Sequence, residues 1–122
     1  MNIESFRDDS LQSNKICRAG NFIFTGGIYG TTPEKDGPVD GGAYDQTIAA
    51  LNNLDKLLDK AGASLLETVK ITFYLRHYQD YDAVVKAVSF MTMSPHCVVN
   101  YVFTSAMLDP RFSVQLEAVA VV

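Results

Sequence analysis

Two stretches of the chain place apolar residues at helical steps. Ile48, Leu51, Leu54, Leu58 and Ala61 recur three or four positions apart, with Asp45, Asn52, Asp55 and Asp59 on other faces, so residues 43–61 are expected to form an amphipathic helix. Gly62 supplies the left-handed residue that stops it. Ala83, Val84, Ala87, Val88 and Met91 form a second stripe, and Asp80 is placed to cap a helix running to about residue 91. Between them Val69, Ile71, Phe73 and Leu75 alternate with Lys70, Thr72 and Tyr74, the pattern of a half-buried strand over 68–75. Ser64 and Glu67 have capping-box spacing and predict one short turn before that strand.

The rest of the chain reads as strands and loops. Residues 1–13 are polar and are expected to be an irregular arm. Residues 16–18 and 21–28 flank Ala19-Gly20, a hairpin signal whose second run is rich in β-formers. Residues 29–42 hold Gly30, Gly37, Gly41, Gly42, Pro33 and Pro38, too punctuated for helix or strand. Two further strands, 98–106 and 112–121, are separated by the turn at Asp109-Pro110. The expected order is β-β-α-β-α-β-β in one domain spanning residues 1–122, an α+β chain with two helices on one face of a mixed sheet. Phe, Tyr, Val and Met residues on the other face then have no cover, and association between copies is the simplest way to bury them.

Charge narrows the partners. With a net charge of −4 and ten Lys and Arg spread over the whole length, the chain builds no basic stripe for phosphates, which argues against nucleic acid. Cys17 and Cys97 form no metal-type pair and fit small buried residues of a reduced protein. The first residues show no secretory pattern and no apolar run is long enough for a membrane span, so a cytoplasmic location is expected. His77 and His96 belong to no ligand cluster, and no metal or cofactor is expected. Cys97 beside His96 is a poor nucleophile pair, because neighbours on a strand point to opposite faces. Gly26-Gly27 fits a tight bend better than an anion cradle. Tyr29, Tyr101 and Phe103 suit either a cleft wall or ordinary packing.

Several stretches together resemble the Rid (YjgF-type) family of imine and enamine deaminases. They are Gly20-Asn21-Phe22-Ile23-Phe24-Thr25-Gly26-Gly27, Lys60-Ala61-Gly62-Ala63-Ser64-Leu65, Val69 to Leu75 leading to Tyr81, and the closing Val114-Gln115-Leu116-Glu117-Ala118-Val119-Ala120-Val121. The resemblance runs from about residue 16 to 122. It implies a chorismate-mutase-like α+β fold and a homotrimer whose sheets form a central barrel with ligand clefts between subunits. In such deaminases an arginine grips the substrate carboxylate, a glutamate activates water, and a serine-glycine pair and a tyrosine complete the cleft.

Carried onto this chain, the resemblance places the arginine position at Asn100. Val99 or Tyr101 follows if the preceding loop differs in length, and Cys97 if Pro95-His96-Cys97 is the anchor. None of these is arginine. The glutamate position falls on Gln115, with Glu117 as the second, non-catalytic acid; the serine falls on Gly26, with its glycine kept as Gly27. The tyrosine position falls near Ser13 and a helix asparagine becomes Val85. Gln115 can orient water but cannot accept its proton. Removing clamp and base together leaves no unpaired buried charge. A cleft built on Asn100, Gln115 and the Gly26-Gly27 backbone, walled by Tyr29, Tyr101 and Val102, therefore favours a neutral ligand over an α-carboxylate. Two functions fit: a divergent enzyme acting on a small reactive nitrogen metabolite outside the 2-imino acids, or a non-catalytic trimer binding a small metabolite or regulating a partner.

Overall fold

The computed structural model describes residues 3–8, 13–34 and 36–122. Along the chain run β1 (Ile3–Asp8), β2 (Ser13–Ala19), β3 (Phe22–Thr25), α1 (Ala43–Lys60), β4 (Thr68–Leu75), α2 (Tyr81–Phe90), β5 (Val98–Phe103) and β6 (Val114–Val121). The strands form one six-stranded sheet in the order β1-β2-β3-β6-β4-β5. Only β4 and β5 are parallel, and α2 is the crossover that this pairing requires. The α+β class and the mixed sheet are as expected. No helix among the described residues is long and apolar enough to cross a membrane.

Both helices cover one face. Ile71, Phe73 and Leu75 of β4 and Val114, Leu116, Ala118 and Ala120 of β6 meet Leu51, Leu54 and Leu58 of α1 and Val84 of α2 in the core. Gly62 ends the first helix with φ +86°, as expected. The Ser64 hydroxyl donates to Glu67 Oε2 at 2.8 Å and accepts from Leu66 N–H at 3.2 Å, which closes the anticipated turn at Leu65–Glu67.

Several expectations need correction. Residues 3–8 are a strand rather than an irregular arm, with Ile3 opposite Ala19 and Asp8 opposite Ser13; residues 1, 2 and 9–12 of that arm lie outside the described residues. An edge strand held by its ladder needs no apolar face, so hydropathy does not announce it. In α1, Ile48 is only half-buried, and Gln46 and Thr47 are buried in its place. Both are satisfied: Thr47 Oγ1 donates to Ala43 O, and Gln46 Oε1 accepts from Ser113 N–H. In β4 the alternation slips, because Thr68 faces Ala120 and Lys70 faces Val119, leaving Val69 as the extra residue of a bulge. Asp80 makes no side-chain cap; the short turn Tyr78–Asp80 leads straight into α2.

The run expected over 21–28 is also broken. β3 stops at Thr25, and Ile28 rejoins the sheet alone as a bridge to Leu116. Gly26 and Gly27 are the residues between, and this detour sets the geometry of the site.

Candidate functional site on the open sheet face

The sheet face away from the helices carries Phe22, Phe24, Val98 and Val102, which are 40–57% exposed. Phe22 and Phe24 stack with ring centroids 6.3 Å apart while Ile23 between them is fully buried, so the strand alternation is clean. On β6 the same alternation puts Gln115, Glu117 and Val119 on this face, and on β4 it puts Lys70, Thr72 and Tyr74 there.

Gln115 is fixed from two sides. The Tyr29 hydroxyl donates to Gln115 Oε1 at 2.9 Å. Tyr29 is itself held by its ring against Phe112, with centroids 4.6 Å apart, and by the Asn53 amide, which donates to its backbone carbonyl at 2.9 Å. Burial, with the Asp109 charge second, pushes the Tyr29 phenol up, so it stays a donor. Beneath the amide lies Gly27: a Cβ there would stand 2.3 Å from Gln115 Nε2. A side chain at 27 would displace the Gln115 amide, so glycine lets that amide lie against the bend. At Gly26 a Cβ would meet only Lys15 O at 3.9 Å, so a larger residue fits. The Lys15 ammonium donates to the Gly27 carbonyl at 3.0 Å and braces the same bend.

Two residues further along β6, Glu117 accepts a 2.5 Å hydrogen bond from the Tyr74 hydroxyl. That bond, together with partial burial and the Glu117 charge, raises the Tyr74 phenol above its ordinary range. Tyr74, Gln115 and Glu117 join Thr104, Ala106 and Met107 around a depression of about 230 Å³. The Thr104 hydroxyl donates to Ala106 O at 3.1 Å and shapes the adjoining loop. A second depression, on the other side of Glu117, is lined by Phe24, Thr25, Lys70, Thr72, Ala118 and Val119.

The residues singled out from sequence do not all meet here. Gln115, Gly27 and Tyr29 are together, with Gly26 at the bend beside them. Asn100 is on the same face but faces Thr72, which faces Glu117 in turn, so β4 separates Asn100 from β6 by two strand spacings, roughly 10 Å. Asn100 lines neither depression. Val102 lies on the open face opposite Tyr74, in the row of Gln115. Tyr101 does not line this face: it stacks on Phe73 at 5.6 Å and meets Tyr81 edge-on at 5.1 Å, on the helix side. Cys97 and Val99 also turn toward the core, so of the four alternative positions only Asn100 shares a face with Gln115. Burial pushes the Cys97 thiol up, which suits a resting thiol rather than a nucleophile. Val85 sits half-buried on α2. Among the described residues no three His, Cys, Asp or Glu are grouped to hold a metal ion.

Sequence reasoning gave Glu117 only as the second, non-catalytic acid and gave Tyr74 no part in the site. The signal was present: Glu117 is two residues from Gln115 on one strand and therefore on its face, and Tyr74 belongs to the polar half of the β4 alternation.

A six-stranded mixed sheet with two helices on one face and a polar depression on the other defines the chorismate-mutase-like α+β class. The chain belongs to the Rid/YjgF family, matching the family described as Endoribonuclease L-PSP over residues 11–122. It is 39% identical over 68 residues to a RutC family protein of Pyrococcus abyssi, covering 56% of this chain and 54% of that one, so the match spans about half the relative's length. A protein of Dermatophagoides farinae named 2-iminobutanoate/2-iminopropanoate deaminase is 23% identical over 109 residues, 89% of this chain and 84% of its own. In fold the chain is similar to a member of the YjgF/YER057c/UK114 family from Mycobacterium tuberculosis, with a TM-score of 0.84 at 20% identity, covering 99% of this chain and 100% of that one.

Proposed function

We propose that this chain assembles as a cytoplasmic homotrimer through its open sheet face and acts in the resulting clefts on a small reactive nitrogen compound, an imine or enamine outside the 2-imino acids. The observation that carries the proposal is the immobilised Gln115 amide beside the Glu117–Tyr74 pair in one polar depression. In the reaction proposed, water oriented by Gln115 adds to the imine carbon, the C=N electron pair moves to nitrogen, and a proton of that water passes to the nitrogen. The new hydroxyl then gives its proton to the nitrogen as the C–N bond breaks, and the products are a carbonyl compound and ammonia. The deaminase name carried by the mite relative supports carbon–nitrogen chemistry.

The choice of substrate follows from charge. The only charged side chain lining the depression among the described residues is Glu117, and a carboxylate repels the carboxylate of a 2-imino acid. RNA is disfavoured by the net charge of −4, since strand binding draws on clustered cations. A second proposal, a non-catalytic metabolite-binding trimer, is favoured by one fact: position 115 is an amide, which cannot accept a proton from water.

The test is ammonia release by the full chain from a panel of freshly generated imines. Turnover of neutral imines is expected, with 2-iminopropanoate slower than in arginine-bearing deaminases by on the order of 10⁴-fold, for want of clamp and base. Turnover of 2-iminopropanoate at the rate of such an enzyme would refute the substrate assignment. Silence toward every imine would favour the binding role.

A further inference from the structure

We infer that the depression between Tyr74, Gln115, Glu117 and Met107 binds a planar nitrogen cation, of the iminium, amidinium or guanidinium type, with Glu117 as its counter-charge. The inference rests on the proposal that this depression is a ligand site, and it replaces the neutral ligand expected from sequence.

Three observations converge on it. First, the depression holds one charge, and that charge is negative; Lys70 lines the neighbouring depression and makes no ion pair with Glu117 among the described residues. Second, Glu117 is only half used. Tyr74 occupies Oε1, and among the described residues no donor meets Oε2. The Tyr74 bond anchors one oxygen of the carboxylate and leaves the second open to a ligand. Third, a second acceptor stands two residues away on the same face, because Gln115 Oε1 accepts one bond from Tyr29 and keeps a further lone pair. A planar cation carries several N–H donors, so one can meet the Glu117 oxygen while another is offered to the Gln115 carbonyl.

The remaining wall fits the same ligand class. Met107 is buried and Ala106 is small, so they offer a polarisable apolar surface to the face of a delocalised cation. The volume of about 230 Å³ suits a metabolite of a few heavy atoms rather than a peptide or nucleotide. A neutral amide of the same shape can make similar hydrogen bonds but leaves the carboxylate without a counter-charge. An anion meets repulsion.

The experiment titrates the full-length protein with acetamidinium, acetamide and acetate while recording ¹H–¹⁵N spectra. Acetamidinium is expected to shift the Gln115 side-chain amide and the backbone signals of 104–107 and 115–117. It should bind about tenfold tighter than acetamide, and added salt should shrink that margin, as screening of an exposed charge pair requires. Glu117→Gln should erase the margin, while Lys70→Gln should leave it. Equal binding of acetamidinium and acetamide by the wild type, tighter binding of acetate, or a margin indifferent to salt would each overturn the inference. These wild-type comparisons stand even if Glu117→Gln fails to fold. A cation preference without turnover of any imine would retire the enzyme proposal and keep this one; turnover of neutral imines without a cation preference would do the reverse.

Discussion

The Tyr74 phenol donates to Glu117 Oε1 at 2.5 Å although the two residues are not register partners. Tyr74 stands opposite Gln115 and Glu117 opposite Thr72, so the bond runs diagonally from β4 to β6. Diagonal reach of this kind is open to a long aromatic side chain on a sheet. It ties the depression's one carboxylate to the strand beside it.

Ionising Tyr74 would remove the shared proton and set a phenolate beside a carboxylate, so the phenol should titrate above its ordinary value of 10.0. Glu117→Gln removes that charge and should bring the Tyr74 titration down toward 10.0. The ¹³Cζ shift of Tyr74 followed against pH reads both. An ordinary titration in the wild type would mean that the bond is not kept in solution.

The two glycines at the β3 bend should respond differently. Gly26→Ser has room and is expected to change stability by no more than about 0.5 kcal/mol. Gly27→Ala drives a methyl into Gln115 Nε2 and should push the amide off Tyr29, at a cost of about 1 kcal/mol for the lost hydrogen bond. Urea unfolding gives the energies, and the Gln115 side-chain amide signals show whether it has moved. Equal effects at the two positions would count against the close approach.

Thr68 is fully buried, and its Oγ1 has no hydrogen-bond partner among the described residues. Thr68→Val keeps the shape and removes the stranded hydroxyl, so it should leave stability unchanged or raise it by up to about 1 kcal/mol. A loss of more than that in urea unfolding would show that the hydroxyl is satisfied after all.

Phe22 and Phe24 on β3, and Val98 and Val102 on β5, leave apolar patches on the open face that association would bury. Sedimentation should give a trimer, and Phe24→Asp, which sets a charge in the β3 patch, should dissociate it. A stable monomer at micromolar concentration would exclude trimeric assembly.

Most of the helical layer was legible in the sequence, because burial on one side imposes its period on the residues. What escaped detection carried no such period. β1 shows no period-two run of apolar residues; the Val69 bulge shifts the phase of β4 by one residue, a slip that a count of alternating positions does not resolve. The site was legible in part for a similar reason. Alternation puts Asn100, Gln115 and Glu117 on one face, but which of them are neighbours depends on strand order. With β4 lying between β5 and β6, Asn100 is held away from Gln115 and Glu117 becomes the nearer partner. Chain order alone does not contain that fact.

The position of β6 bears on how the molecule comes together. The last strand in chain order lies in the interior of the sheet, between β3 and β4. The β1–β3 meander and the parallel β4–β5 pair share no ladder until it arrives. The Ala118 N–H that meets Thr25 Oγ1 reaches across 93 residues of chain. Loop closure on that scale is slow compared with the local hairpin and helices, which places insertion of β6 late in folding. During synthesis the two half-sheets emerge with their inner edges unpaired, open to strands of other chains. The residues that close this gap are the ones that carry Gln115 and Glu117, so a chain that has not finished its sheet has no site.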